Sequence, residues 1–337
     1  MASLRQVFPR AVLALLAAVV VAQAAVAWQL AATETELRGV DLGLSGPPVV
    51  VQSLADRANA LPGRPVVAVP LDADVDPRAS VVRGEVTAAL AIDLVADGDV
   101  LYVASVRDPV LVEALAAEAR AVASTFAREV KVVRVRPLAN GDVDRLGAAY
   151  VSLGWIVAGF LLSLVVSFGW GPVARTGARA AVRITSMAAA TAALAAVAAT
   201  AVQAWGYAGA WPELWLLGWL TMMSSSFLVL AYESLAGIGG IGLAVAVAVL
   251  LMTPLATGRD TGLLPRPWPW VTELVPHGAA LEAVTDAAYF SRLETRPLLV
   301  LVAWVAVSLL TLLVSRRERA EDKVVLPGED IGLVQQG

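Results

Sequence analysis

Six apolar stretches, each close to the length that crosses a bilayer, constrain this chain more than any other feature. A hydrocarbon core about 30 Å thick takes roughly 20 apolar residues as a helix. Backbone groups in lipid must find partners within their own segment, so each run is expected to be helical. The runs are about 11–32, 150–170, 182–204, 212–232, 235–256 and 297–315. Composition agrees, with 58% apolar and 16% charged residues against roughly 45–50% and 25% in soluble domains.

Positive charge in the short flanks orients such a chain. Arg5 and Arg10 precede the first span, Arg175, Arg179 and Arg183 lie between the second and third, and Arg316, Arg317, Arg319 and Lys323 follow the sixth. Six spans put all three groups on one side. Both termini are then cytoplasmic, and 33–149 and 257–296 lie outside a plasma membrane crossed several times. Trp170, Trp205, Trp211, Trp268 and Trp270 stand near helix ends, as an interfacial aromatic belt places them. The first span has a second reading. Ala22-Gln23-Ala24 and Ala25-Val26-Ala27 look like small-residue signal cleavage sites. The run from Ala11 to Ala27 is long for a signal core and Trp28 fits an interfacial anchor, so an uncleaved helix is expected.

Segment 33–149 differs from the rest, with charges returning and Pro and Gly punctuating it. Pro65–Leu71, Val100–Ser105 and Glu129–Val135 read as strands, and Glu85–Leu94 as strand or helix. Pro109–Ala127 carries apolar residues at helical spacing behind Asp108, an N-cap residue type. The alternation predicts a small α/β domain. Asp72, Asp74 and Asp76 have calcium-loop spacing without its glycine and closing glutamate, and read as a solvated turn.

Several functions are excluded or disfavoured. The chain has no cysteine, one histidine and a net charge of -4, which leaves no thiol chemistry, no multi-His metal site and no basic footprint for nucleic acid. Neither Lys131 nor Lys323 follows a glycine, so a P-loop is absent. Gly237-Ile-Gly239-Gly240-Ile-Gly242 formally matches a dinucleotide fingerprint, but it opens an apolar helix rather than following a strand. Close helix packing is the expected role. Charge is almost absent from the spans, which argues against a proton relay or a voltage sensor. Glu233 reads as a solvated acid in a short cytoplasmic turn, with a partner contact as the sharper alternative. The third span, rich in Ala and Thr, is expected in the bundle interior or at a subunit interface.

The stretch 257–296 holds Pro265, Pro267, Trp268, Pro269 and Trp270, then Pro276-His277-Gly278 and an amphipathic run to Tyr289 and Phe290. It reads as a hairpin of two short helices at the outer surface, with Trp and Phe at headgroup level and Pro276 starting or kinking the second helix. His277 beside Glu273 or Glu282 has no nucleophile at a workable spacing. No catalytic residue, metal ligand or cofactor site is assigned.

The chain resembles the ABC type-2 permease superfamily, and within it the phage-infection-protein-like (Pip-like) branch. Three pieces carry the likeness: Leu61–Asp74 (LPGRPVVAVPLDAD), Val135–Leu138 with Gly141-Asp142 and Tyr150–Phe160, and Leu264-Pro265 with Leu274–Gly278 and Asp286–Phe290. The sequence departs from that family at Ala256-Thr257-Gly258, where a Gly-rich helix end is usual, and at Thr285, where arginine is. The resemblance implies a permease subunit, a homodimer or paralogous heterodimer in membrane lipid, driven by a separate cytoplasmic ATPase. It places Arg5, Arg10, Arg175, Arg179 and Arg183 near that ATPase; attraction to anionic lipid is the plainer role for all five. The expected architecture is therefore an α-helical membrane protein of six spans with an extracytoplasmic α/β domain. Its parts are 1–32 (amino terminus and first helix), 33–149 (α/β domain), 150–315 (five-helix domain with the hairpin at 257–296) and 316–337 (cytoplasmic tail). A non-transporting envelope scaffold or receptor is the alternative function.

Overall fold

The computed structural model describes residues 2–32, 36–95, 98–138, 142, 144–170, 177–204, 206–207, 209–255 and 259–321; the side chains of 2–13, 15–16, 238 and 316–321 fall outside the description. Arg175, Trp205, Ala256-Thr257-Gly258 and Lys323 therefore lie outside the described residues, as do the side chains of Arg5, Arg10, Arg316, Arg317 and Arg319.

A long helix α1 (Ala2–Ala32) leads into the α/β domain. The domain comprises β1 (Val40–Ser45), α2 (Pro48–Asn59), β2 (Val66–Pro70), α3 (Pro77–Val82), β3 (Ala88–Ala91), β4 (Gly98–Ala104), α4 (Pro109–Ser124) and β5 (Glu129–Val135). The sheet order is β2-β1-β3-β4-β5. β1 pairs in parallel with β2 and β3, β4 in parallel with β5, and only β3 and β4 run antiparallel. Helical crossovers explain this, because parallel neighbours need a long connection: α2 bridges β1 to β2 and α4 bridges β4 to β5. The ambiguous stretch Glu85–Leu94 contains strand β3. α4 begins as its sequence predicts, Asp108 Oδ1 accepting from the Val110 amide at 2.9 Å. Asp76 caps α3 in the same way, at 2.9 Å from the Arg78 amide. The interior strand β1 and helices α2 and α3 had no sequence-based expectation.

The sheet has two differently employed faces, because side chains alternate along a strand. Ala88, Leu101 and Val103 point to one face and pack with Leu111, Leu115 and Ala116 of α4. Ala89, Ala104 and Val135 point to the other, and their cluster continues into Phe290, Tyr289, Trp155 and Leu214. One hydrophobic core thus runs from the sheet into the helical bundle.

The bundle comprises α5 (Gly147–Trp170), α6 (Gly177–Ala204), α7 (Trp211–Ala236), α8 (Ile238–Met252), α9 (Trp268–Leu274), α10 (Pro276–Thr285) and α11 (Thr295–Glu321). A π turn, Asp286–Phe290, joins α10 to the connection before α11. Among the described residues four helices are long and apolar enough to cross a membrane: α5, α6, α7 and residues 295–315 of α11. The protein is membrane-embedded on that ground. Two shorter apolar helices accompany them, Ala17–Ala32 within α1 and Gly239–Met252 within α8.

Within the single chain the interior helix is α7, not α6, which corrects the expectation that the third span lies in the bundle interior. In its most apolar window 67% of α7 is buried, against 22% of α6. α6 presents only one narrow stripe inward, Met187, Thr191, Ala195 and Ala199, while Val182 and Val197 face outward. α7 is held by polar contacts as well as packing. Trp215 and Trp219 donate to the Ala192 and Ala188 carbonyls at 3.0 and 3.1 Å. Ser163 donates to the Ser226 carbonyl at 2.7 Å, and Ser226 to the Gly159 carbonyl at 3.0 Å. Gly159 permits this approach, since a Cβ there would lie 2.6 Å from the Met222 carbonyl oxygen. At Gly240 a Cβ would lie 2.0 Å from the Tyr232 carbonyl oxygen, so this glycine lets the start of α8 lie against the end of α7; Gly237 and Gly242 meet nothing within 4 Å and have no such role.

Candidate functional site

A cavity of about 640 Å³ lies where the α/β domain meets the α9–α10 pair and the start of α11. Carboxylates outnumber guanidinium groups in its lining. Its floor is the turn from α10 to α11, where carboxylate oxygens of Glu282, Asp286 and Glu294 all lie within 4.8 Å of one another. Arg296 answers two acids at once, 2.7 Å from Glu273 and 2.6 Å from Glu282. Arg292 pairs with Glu294 and donates to the Gly84 carbonyl at 2.7 Å. With two arginines already in place, the group reads as a charge network rather than a metal centre. Burial pushes the Asp286 carboxyl up to about 6, and the neighbouring Glu282 charge adds to it; Arg107, Arg292 and Arg296 work the other way.

The α/β domain is fastened at the rim. Arg136 donates to the Val82 carbonyl at 3.2 Å and to Ser291 Oγ at 3.0 Å. Arg107 pairs with Asp260 at 3.4 Å and stands 5.5 Å above the Phe290 ring. Phe290 lies so close to Gly84 that a Cβ there would meet its ring at 2.7 Å, and Gly84 itself has φ +71°. Only glycine takes that backbone and that contact without strain. Tyr289 donates to Asp142 and meets Tyr207 edge-on at 6.4 Å.

The hairpin residues fall into two groups. Trp270 is exposed, as an interfacial residue should be. Trp268, Pro276, His277, Gly278, Tyr289 and Phe290 are buried, and Pro265 leads into α9 beside them. This corrects the placement of the hairpin's aromatic end at headgroup level. Small residues Ala279, Ala280 and Ala283 let α10 nest between α5, α7 and α11, and the α/β domain covers Tyr289 and Phe290. Pro276 starts α10. Trp268 ties the pair to α1, donating to Gln29 Oε1 at 3.2 Å. His277 is 3% exposed with no partner for either ring nitrogen among the described residues, and burial pushes its imidazole down to about 4.

The other predicted group is corrected more sharply. Glu233 is not in a solvated turn: it is fully buried at the end of α7 and paired with Arg183 of α6 at 3.0 Å. Ser167 of α5 accepts from Arg183 at 2.8 Å and donates to Glu233 at 2.7 Å. Both charges are thus turned into the bundle and pair there, through Glu233 Oε2, which removes them from a surface facing a partner. Arg179 is exposed. Sequence reasoning missed the Arg183–Glu233 pair because the two lie on different spans, and it missed the cavity because its acids are spread from Asp41 in the α/β domain to Glu294 before α11. No family model, curated protein or solved structure matches this chain.

Proposed function

We propose that the chain is a permease-like transmembrane subunit of an ABC-type exporter, moving an apolar or amphiphilic substrate with energy from a separate ATPase. In this reading the short apolar helices of α1 and α8, which pack on each other, complete six crossings. Both termini are cytoplasmic, and the α/β domain stands outside. The observation that carries the reading is the α9–α10 pair before the last long helix, with the α/β domain seated on it through Gly84, Phe290, Arg136 and Arg292. Movement among α5, α7 and α11, against which α10 packs, would pass directly to the outer domain. A homodimer or paralogous heterodimer would complete the transport path.

The test is affinity purification of the tagged chain in mild detergent, with mass spectrometry of what accompanies it. A stoichiometric P-loop ATPase is expected. Its absence at every salt concentration would overturn the reading. The charged cavity favours the second reading, an envelope scaffold or receptor whose α/β domain binds a partner, and recovery of envelope proteins alone would support it.

A further inference from the structure

The five-stranded sheet has two edges, and only one of them is closed. At the β2 edge Asn59, the last residue of α2, donates to the Ala68 carbonyl and accepts from the Ala68 amide, both at 2.9 Å. Pro70, at the end of β2, has no N–H to offer. An edge covered in this way gives a passing strand no row of partners. The β5 edge is open. The Ser105 amide donates to the Val135 carbonyl at 3.0 Å, and in a parallel ladder that bond fixes the alternation. Glu129, Lys131, Val133 and Val135 turn their backbone groups to β4. Val130, Val132 and Arg134 turn theirs outward, and no bond reaches those groups among the described residues. The side chains of Glu129 and Lys131 are exposed beside them.

The sheet also lies where a second copy can reach it. Its inner face sits on one end of the bundle, with Ala148 at the start of α5, Tyr207 just before α7 and Leu293 just before α11. Its outer face carries α4. The normal to the sheet therefore runs along the bundle. Two copies that cross one membrane in the same sense are related by a two-fold axis along the membrane normal. An antiparallel pair of identical strands has its two-fold axis perpendicular to the sheet, so the two axes coincide.

We propose that β5 pairs with β5 of a second copy, antiparallel and centred on Val130, to make one continuous sheet across a homodimer. The inference rests on the paired subunits of the reading above and not on the ATPase. Charge selects both the occupant and the register. Centred on Val130, Glu129 stands opposite the partner's Lys131, and Lys131 opposite the partner's Glu129. Both pairs fall at non-hydrogen-bonded positions, where facing side chains are closest. Centring on Lys131 would set the two lysines against each other, and centring on Val132 would set each lysine against a valine. A lysine in mid-edge ordinarily turns further strands away. Here it admits a strand that brings an acid to it. Val130 exchanges both backbone bonds with its counterpart, and the Val132 amide meets the partner's Arg128 carbonyl. The partner's Arg134 passes Phe126, which is 63% exposed in the single chain.

The chain has no cysteine, so each single substitution reports one contact. The full chain is reconstituted in liposomes and oxidised with copper phenanthroline. V130C is expected to form a disulfide-linked dimer, and V69C on the closed β2 edge is not. V132C would stand about 13 Å from its counterpart and should not link. Adding K131E to V130C sets glutamate against glutamate at both pairs and should slow linkage about 10-fold. Adding E129K as well reverses every charge and should restore it. In the unsubstituted chain, a carbodiimide should join Glu129 to Lys131 between isotope-light and isotope-heavy copies, which decides the matter if V130C fails to fold. Linkage at V132C in place of V130C overturns the proposal, and so does linkage indifferent to K131E. A chain that is dimeric by native mass spectrometry yet links at neither V130C nor the Glu129–Lys131 pair overturns the edge pairing and leaves the paired-subunit reading standing. A monomer at every lipid ratio overturns both.

Discussion

Removing one partner of the Arg183–Glu233 pair is the most demanding test of the bundle. The two side chains are 9% and 0% exposed and lie 3.0 Å apart, with Ser167 between them. Stripping either partner leaves the other buried, and such a loss costs about 3–5 kcal/mol. Glu233→Ala forfeits the Arg183 bond and the Ser167 bond together, so it belongs at the upper end. Glu233→Gln keeps both contacts in shape and should cost less, while still leaving an uncompensated guanidinium. Replacing both charges with apolar groups of similar volume, Arg183→Met with Glu233→Leu, removes the desolvation burden and should recover most of the single-variant loss. The assay is reversible unfolding in mixed micelles followed by tryptophan fluorescence, for which Trp211, Trp215 and Trp219 on α7 serve as built-in reporters. A double-mutant cycle then gives the coupling directly. The reasoning is refuted if either alanine variant costs less than about 1 kcal/mol, the value of a solvated surface pair. It is refuted equally if the double variant costs the full sum of the singles.

Further outcomes follow from the same contacts. Gly84→Val places a branched side chain at φ +71° against the Phe290 ring, and limited proteolysis should then cut between the α/β domain and the bundle several-fold faster. Asp108→Ala removes the cap of α4 and an acceptor for the Asp260 amide at 3.3 Å, and should lower stability by about 1–2 kcal/mol in thermal unfolding. His277 is held neutral, so its contribution is present above about pH 6.5 and is lost as the pH falls toward about 4. His277→Leu should flatten that acid limb of the Tm profile, and an unchanged limb would show that another group causes it. Gly159→Leu drives a side chain into the Met222 carbonyl and should separate α5 from α7, read as loss of the monodisperse peak in size-exclusion chromatography.

What the sequence reveals depends on whether a residue's partner is local. The Asp108 cap, the Pro276 start and the strands at 66–70, 98–104 and 129–135 are specified by their own neighbours, and each is legible. β1 is not, because its place inside the sheet comes from β2 on one side and β3 on the other, and VDLGLS carries Asp, Gly and Ser that read as loop. α2 hides behind two prolines, Pro47 and Pro48, although proline at the first helical position is favourable. The cavity gathers acids separated by more than a hundred residues, from Asp41 to Glu294, so no window of sequence displays it.

The exchange of roles between α6 and α7 has a physical cause that hydropathy conceals. In water the most apolar helix goes inside; in lipid every apolar surface is equally at home, so burial must be driven by something lipid lacks. α7 supplies it. Its Ser226, bonded to Ser163 and Gly159 of α5, its tryptophan N–H donors aimed at α6 carbonyls and its Glu233 all need protein partners. α6 offers mainly alanine and two useful features, the Ala188 and Ala192 carbonyls that accept from those tryptophans and Arg183 for that glutamate. A helix poor in leucine is therefore not an interior helix on that account. The one that carries polar atoms along several faces is, because those atoms have nowhere else to go.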